Sequence, residues 1–92
     1  MKITLRAVGQ LEKNLGRSEI EFDLPESSTL ADLLGSLEKD LGDGIPAELW
    51  NFKEHRFRGP VILMTDGSIV RDLKSALRDG QEWVACRVLV GG

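Results

Sequence analysis

The residues best suited to chemistry are the last two of the sequence, Gly91 and Gly92, which follow the apolar run Val88-Leu89-Val90. Glycine has no Cβ, so a Gly-Gly end is thin and conformationally free and carries only a carboxylate. Four residues from Leu89 to Gly92 extend by roughly 13–14 Å, which is enough to enter a pocket of another protein. An α-carboxylate is ionised at neutral pH and is a poor electrophile, so we expect it to react only after activation, as by adenylation. The alternative is an ordinary chain end without function.

No other residues in the sequence form an obvious catalytic set. One cysteine, Cys86, and one histidine, His55, exclude an internal disulfide and a zinc site built from Cys and His. Cys86 could accept a persulfide, but a cysteine in an apolar strand is more typical of a small packing residue. His55 has no Cys, Ser or Asp beside it in the sequence. The sequence therefore predicts a protein that is acted upon, not an enzyme, with no metal site.

The composition indicates one globular domain over residues 1–92, with the Gly-Gly tail flexible. The chain is 41% apolar and 29% charged, which is typical of a folded protein. Its net charge of −3 disfavours nucleic-acid binding, because there is no positive excess to replace phosphate counterions. The sequence lacks the long apolar segment that is typical of a signal peptide or a membrane span. We therefore expect a cytoplasmic protein without a membrane partner.

The only basic cluster consists of Lys53, His55, Arg56 and Arg58. It lies in residues 42–59, the segment whose pattern is hardest to interpret. One interpretation is a docking loop, with Lys53, Arg56 and Arg58 meeting an acidic partner or a nucleotide. The other is a solvated loop without a binding role.

The fold that positions the C-terminal glycines and the basic cluster begins with two predicted strands and one predicted helix. Residues 2–8 and 18–24 alternate apolar and polar side chains, which predicts an antiparallel hairpin with a turn-rich connection. Thr29 is a suitable N-cap for a helix over 30–41, with Asp32 in its first turn. The apolar stripe of that helix consists of Leu30, Leu33, Leu34, Leu37 and Leu41. We expect these leucines to pack against Ile3, Leu5, Ile20, Phe22 and Leu63.

Weaker patterns follow the helix. Pro46 can begin a short helical turn over 46–50, and Trp50, Phe52 and Phe57 are expected to close one edge of the core. Residues 60–66 form an apolar strand, and an Asp-Gly turn then allows Ile69-Val70 to pair with it briefly. Residues 72–77 are interpreted as a single helical turn.

The last strand, residues 82–90, is apolar on both faces. Trp83, Ala85 and Leu89 lie on one face, and Val84, Cys86 and Val88 on the other. Because one helix covers only one face of a sheet, an apolar face is left exposed, which indicates a partner site. The predicted fold class is α+β: a mixed sheet of four to five strands with one long helix on one face. Its first and last strands run parallel at the centre, as in a β-grasp fold.

The segment Asp79-Gly80-Gln81-Glu82-Trp83, followed by the terminal Gly91-Gly92, resembles the ending of the small sulfur-carrier subunit of molybdopterin synthase and its relatives. The start of the helix, Thr29 to Leu34, and the strand and turn from Val61 to Gly67 also resemble this family. The resemblance covers most of the chain except 42–59, and only the spacing from the turn to Gly-Gly is specific. It implies a ubiquitin-like β-grasp fold.

The resemblance further implies a sulfur carrier. Members of this family are adenylated at the terminal carboxylate by an ATP-dependent, ubiquitin-activating-like adenylyltransferase, and the adenylate is then converted to a thiocarboxylate. A synthase large subunit or a sulfurtransferase then accepts the sulfur. By this resemblance Gly92 carries the chemistry, Gly91 clears its approach, no cofactor is bound, and ATP is used by the activating enzyme. The implied partner-binding residues are Ile62, Met64, Val84, Cys86, Val88, Leu89 and Val90.

Three departures from the family pattern keep the pathway open. Arg87-Val88 stands where the molybdopterin carriers usually have Pro-Pro, Asp66 stands where they often have Asn, and the 42–59 segment is longer. Carriers for cysteine synthesis or tRNA thiolation remain alternatives. So do a modifier conjugated to lysines through Gly92 and a β-grasp interaction module that is not conjugated at all.

Overall fold

A computed structural model describes residues 1–88, which form a five-stranded mixed sheet with the strand order β2-β1-β7-β5-β6. In chain order the elements are β1 (Lys2–Val8), α1 (Gln10–Leu15), β2 (Glu19–Asp23), α2 (Leu30–Leu41), β3 (Trp50–Asn51), β4 (Arg56–Phe57), β5 (Val61–Thr65), β6 (Ser68–Ile69) and β7 (Glu82–Arg87). β7 lies in the middle, parallel to β1 and antiparallel to β5. The predicted fold class and the parallel pairing of the first and last strands are confirmed. None of the helices formed by residues 1–88 could cross a membrane.

The long helix α2 has the predicted boundaries. The Asp32 carboxylate accepts a hydrogen bond from the backbone N–H of Thr29 at 2.8 Å, so the side chain in the first turn fixes the residue that precedes the helix. Four of the five leucines in the predicted stripe are buried: Leu30, Leu33, Leu34 and Leu37. Leu41 packs against the core but is only partly buried at the end of the helix, so the prediction that it is buried like the other four was wrong.

The connection between the first two strands contains a short helix that the sequence patterns did not predict. α1 (Gln10–Leu15) follows β1 directly and ends at Gly16, which has a φ of 73°. Leu11 and Leu15 are four residues apart, and both are buried in the core. The helix forms because this spacing places both side chains on one face, where they cover one end of the sheet.

Residues 42–59 also differ from the prediction. A 3₁₀ turn, Gly42–Gly44, follows α2. Pro46 begins one turn, as predicted, closed by a 2.9 Å hydrogen bond from the Leu49 N–H to the Pro46 carbonyl, but the turn ends before Trp50, which belongs to β3. β3 and β4 then form a separate two-stranded hairpin. Trp50 and Phe57 meet edge to face at 4.8 Å and are buried, as predicted. Phe52 is exposed, because it lies in the turn of this hairpin and points away from the core.

The chain after β5 contains one confirmed turn and one predicted turn that is shorter than expected. Asp66 and Gly67 have φ of 52° and 79°, the conformation of a two-residue hairpin turn, and β6 pairs Ile69 with Met64. Residues 72–75 form one turn, closed by a 3.0 Å hydrogen bond from the Ser75 N–H to the Asp72 carbonyl, but the predicted turn does not reach residue 77. Carbonyl groups of this segment accept hydrogen bonds from the first N–H groups of α2: Leu30 to Ser75 at 2.9 Å and Ala31 to Leu73 at 3.0 Å. These N–H groups have no partner within the helix, so the segment satisfies them from outside.

Candidate functional site

The sheet has one face in the core and one face that no helix covers within residues 1–88. Side chains alternate along each strand, and β5 and β7 place their more buried residues on the α2 side. Seven apolar or weakly polar side chains lie on the other side, and we call them the outer apolar face: Val8, Ile62, Met64, Ile69, Val84, Cys86 and Val88.

The strand register brings these side chains together. Cys86 of β7 pairs with Ile62 of β5, and Val84 pairs with Met64. On the flanks, Val8 pairs with Cys86 and Ile69 with Met64. The face therefore runs without interruption from β1 through β7 and β5 to β6.

The outer apolar face is accessible to another protein. Ile69 is 53% exposed, and Val8 and Val88 are each 42% exposed, while Ile62, Met64, Val84 and Cys86 are partly buried by one another. Burying apolar surface stabilises association by roughly 25 cal/mol per Å² before the entropic costs of binding. A contiguous apolar surface of this kind is characteristic of a binding site.

Charged residues border this face on the β2 side. The Arg6 guanidinium lies 3.0 Å from Glu82 and 3.9 Å from Glu19. The hydrogen bond and charge of Glu82, together with the charge of Glu19, raise the pKa of Arg6 above its ordinary value. Exposed Glu21 and Asp23 continue the acidic row along β2. The border is thus polar around an apolar centre, which is the usual anatomy of a protein interface.

The last described residue, Val88, belongs to this face. Its backbone N–H donates a 2.7 Å hydrogen bond to the Pro60 carbonyl, which holds the end of β7 against the start of β5. The predicted working residues Gly91 and Gly92, and the predicted contact residues Leu89 and Val90, lie outside the described residues. The described chain therefore ends on the outer apolar face, at Val88.

Cys86 and His55 lie on different parts of the fold. Cys86 is a free, partly buried thiol on the outer apolar face. His55 Nδ1 lies 2.8 Å from the Glu38 carboxylate, which also accepts a 2.8 Å hydrogen bond from Trp50 Nε1. His55 therefore links the β3–β4 hairpin to α2. Residues 1–88 contain no group of His, Cys, Asp and Glu side chains that could hold a metal ion.

The structure separates the three predicted docking residues. Lys53 is exposed in the turn of the β3–β4 hairpin, where the Asn51 side chain accepts its backbone N–H at 2.9 Å. Arg56 and Arg58 instead lie on one cavity beside β5, together with Arg71. The basic side chains near this hairpin thus do not form one patch.

Sequence patterns missed three residues that the fold adds to these surfaces: Val8, Ile69 and Arg71. Val8 lies on the same side of β1 as Thr4 and Arg6, so the alternating pattern of that strand could have placed it on the outer apolar face. Ile69 follows from the Asp66-Gly67 turn, which fixes its register opposite Met64. Arg71 has no local signal, since only the return of the chain past β5 brings it near Arg56.

Comparison with known proteins identifies the fold. No protein-family model matches the chain, and no curated protein does. The crystal structure of SAMP1, small archaeal modifier protein 1, from Haloferax volcanii superimposes with a TM-score of 0.82 at 15% identity over 100% of both chains. A chain in the complex of subunits 1 and 2 of the molybdopterin-converting factor from Helicobacter pylori gives a TM-score of 0.67 at 16% identity, again over 100% of both.

A chain in the BexX/CysO complex from Amycolatopsis orientalis also gives a TM-score of 0.67, at 17% identity, over 98% of this chain and 99% of that one. The family resemblance predicted from the sequence is thereby confirmed at the level of the β-grasp fold. Identities this low establish the fold alone. Two of the three similar structures are complexes with another protein.

Proposed function

We propose that this protein is a sulfur carrier whose working group is the carboxylate of Gly92. An ATP-dependent activating enzyme adenylates this carboxylate, and the adenylate is converted to a thiocarboxylate that donates sulfur to a second partner. The observation that carries the proposal is that the Gly-Gly segment follows the strand at the centre of the outer apolar face. A partner seated on that face would receive the tail in its own active site.

The proposed chemistry consists of two nucleophilic substitutions, one at the α-phosphorus of ATP and one at the acyl carbon of Gly92. A carboxylate oxygen of Gly92 attacks the α-phosphorus of ATP and displaces pyrophosphate, which gives an acyl-adenylate. Hydrosulfide or its equivalent from a sulfur donor then attacks the acyl carbon, the bond to AMP breaks, and a thiocarboxylate remains. Gly91 and Gly92 have no side chains, so both ATP and the sulfur nucleophile can approach the terminal carboxyl group closely.

The protein's own part is binding and presentation, not catalysis. Cys86 and His55 lie on different elements and share no hydrogen bond within residues 1–88. The activating enzyme would supply the ATP site and the acid–base groups. The fold is also that of chains found in two complexes, one with subunit 2 of the molybdopterin-converting factor and one with BexX. By analogy, a synthase large subunit or a sulfurtransferase is the second partner.

The sulfur acceptor belongs to cofactor synthesis of the molybdopterin type, to cysteine synthesis or to tRNA thiolation. A second function through the same carboxylate is conjugation to lysines. It is favoured by the likeness to a protein named a small archaeal modifier, at a TM-score of 0.82 over the full length. Both functions need the adenylate, and they differ in the nucleophile that displaces AMP.

A reconstituted activation assay tests the proposal. The chain is incubated with the activating enzyme of its own host, ATP and a sulfur donor, and the products are measured by intact mass. We expect an oxygen-to-sulfur exchange on the natural chain, and none when Gly92 is deleted or one glycine is added after it. Either change moves the acyl carbon by about 3.5 Å, and displacements even of ~1 Å can cost about 100-fold in a positioned reaction.

The tail variants must remain folded for this comparison to count. Their free energies of unfolding should stay within ~0.5 kcal/mol of the natural chain, as for exposed sites without a structural role. Full thiocarboxylate formation on either variant would refute Gly92 as the working residue and favour the interaction module. Formation of isopeptide bonds with no sulfur exchange would favour the modifier.

A further inference from the structure

Three arginines from two separate parts of the sequence line one cavity next to β5. Arg56 and Arg58 come from the β4 strand and its exit, and Arg71 comes from the segment after β6. Apolar side chains, among them Leu34, Val61 and Leu63, form the rest of the wall. The described lining includes three arginines and no aspartate or glutamate, although the whole chain has a net charge of −3. The cavity is therefore a local concentration of positive charge.

Backbone carbonyl groups hold two of these arginines in place. Arg56 Nη2 donates to the Arg71 carbonyl at 3.0 Å, and Arg58 Nε donates to the Ala47 carbonyl at 3.0 Å. A guanidinium has more N–H donors than the one used in each case. Within residues 1–88 none of the three arginines takes part in an ion pair. The remaining donors can thus receive an anion without first breaking a salt bridge.

The size of the cavity limits what that anion can be. Its volume is about 180 Å³. Pockets for small molecules and cofactors usually enclose roughly 300–1,000 Å³. A nucleotide is therefore too large, and the cavity matches a single acidic group such as one carboxylate.

The cavity is continuous with the outer apolar face. Ile62 and Ile69 belong to that face and also line the cavity. A protein that covers the outer apolar face would consequently reach the three arginines at its edge. Arginine beside an apolar surface is also a typical composition for a protein interface, and paired with a carboxylate it forms a charge-assisted hydrogen bond.

We propose that this cavity is a carboxylate-binding subsite, which receives an Asp or Glu side chain of the protein that docks on the outer apolar face. The identity of that protein rests on the proposed carrier function, whereas the subsite itself rests on the three arginines. Lys53 has no part in it, although the sequence grouped it with Arg56 and Arg58. Arg71 takes its place.

An NMR titration at low salt tests the subsite without any activating enzyme. The probes are a blocked tri-glutamate peptide, a tri-glutamine peptide of the same length, and inorganic phosphate. We expect the tri-glutamate peptide to shift the Nε–Hε signals of Arg56, Arg58 and Arg71 in a saturable manner. The Arg71→Met variant should bind it about fivefold more weakly, the size expected for one charge-assisted contact near the surface.

The variants are chosen so that folding does not confuse the result. The hydrogen bond from Arg56 is accepted by the backbone carbonyl of Arg71 and not by its side chain. Arg71→Met therefore removes the charge of the side chain and keeps that bond. Arg17→Met removes one exposed arginine outside the cavity lining and should leave the affinity unchanged. An unaltered amide spectrum elsewhere confirms that each variant is folded.

Several results would overturn the subsite. They are no shift with tri-glutamate, equal binding of tri-glutamine, or an equal loss of affinity in Arg17→Met. Phosphate binding as tightly at the same arginines would show a site for small oxyanions, not for a protein side chain. Because the titration contains no activating enzyme, its failure leaves thiocarboxylate formation on Gly92 untouched. Failure of thiocarboxylate formation with a normal titration would remove the carrier function and keep the subsite.

Discussion

Replacing Leu34 by alanine tests the packing of α2 on the sheet. Leu34 is 1% exposed and lies among the buried leucines of the helix. Alanine is a good helix former, so the change costs nothing in the helix backbone and removes only packing. Leucine-to-alanine changes in cores cost about 2–5 kcal/mol, and the cost is smaller where the site can relax. Because Leu34 also borders the arginine cavity, we expect a loss in the lower part of this range, about 2–3.5 kcal/mol.

Leu41→Ala is the matched control. It removes the same atoms from the same helix, but Leu41 is only partly buried at the helix end. We expect it to cost about 1 kcal/mol or less. Urea unfolding followed by tryptophan fluorescence measures both, and the slope of free energy against urea should not change between variants.

The thermal midpoint offers an independent measurement. A loss of 1 kcal/mol lowers Tm by roughly 4–8 °C in a domain of this size, so Leu34→Ala should lower it by about 8–28 °C. A loss below ~1 kcal/mol for Leu34→Ala, or equal losses for the two variants, would refute the helix face assigned here.

Three further changes are predicted. Gly35→Ala should stabilise the protein by up to ~1 kcal/mol in urea unfolding, because the new methyl group meets nothing within 4 Å in mid-helix; destabilisation would contradict this. The hydrogen bond from Trp50, and then the interaction with His55, hold the pKa of Glu38 below its ordinary value. Its contribution to stability is therefore present above about pH 4.3 and is lost as the pH falls through the lowered pKa, so Glu38→Gln should flatten the acid side of the stability profile. A profile parallel to that of the natural chain would show that Glu38 contributes nothing. Val84→Asp places a charge in the outer apolar face; because Val84 is partly buried on the central strand, stability should fall by about 1–3 kcal/mol with the fold retained, while activation by the host enzyme falls at least about tenfold. Normal activation would exclude this face from that interface.

Long elements with a strong period were predictable from the sequence. The helix over 30–41 has a cap and an apolar stripe, and β1, β2 and β7 each alternate or run apolar over several residues. The mixed sheet followed from the order of these elements. The outer apolar face followed as well, because the last strand is apolar on both sides and one helix covers only one of them.

Short elements escaped because their signals are local and few. α1 has only two apolar residues in six, which is too few to show a helical period. The β3–β4 hairpin has strands of two residues, and its turn depends on the Asn51 side chain, which accepts the N–H groups of Lys53 and Glu54. No hydrophobic pattern contains that information.

Residues 72–77 show how a local signal can predict the start of a turn correctly but not its length. Asp72 precedes an apolar-spaced segment, as an N-cap does, and its carboxylate does accept the N–H of Lys74 at 2.9 Å. The segment stops after one turn, because the carbonyl groups of Leu73 and Ser75 accept hydrogen bonds from the first N–H groups of α2. The arginine cavity could not be predicted either, because Arg71 is distant in sequence from Arg56 and Arg58 and only the tertiary structure brings it close to them.

The central claim is that Gly92 carries sulfur, and the intact mass of the protein purified from its own host tests it most directly. The same spectrum identifies the C-terminal residue and the group attached to it. A fraction of molecules that end at Gly92 and differ from the unmodified chain by one oxygen-to-sulfur exchange is the predicted result. Alkylation of the thiocarboxylate sulfur should tag that fraction at the terminus. Only unmodified carboxylate in cells that are actively using the carried sulfur, or a terminus other than Gly92, would contradict the claim.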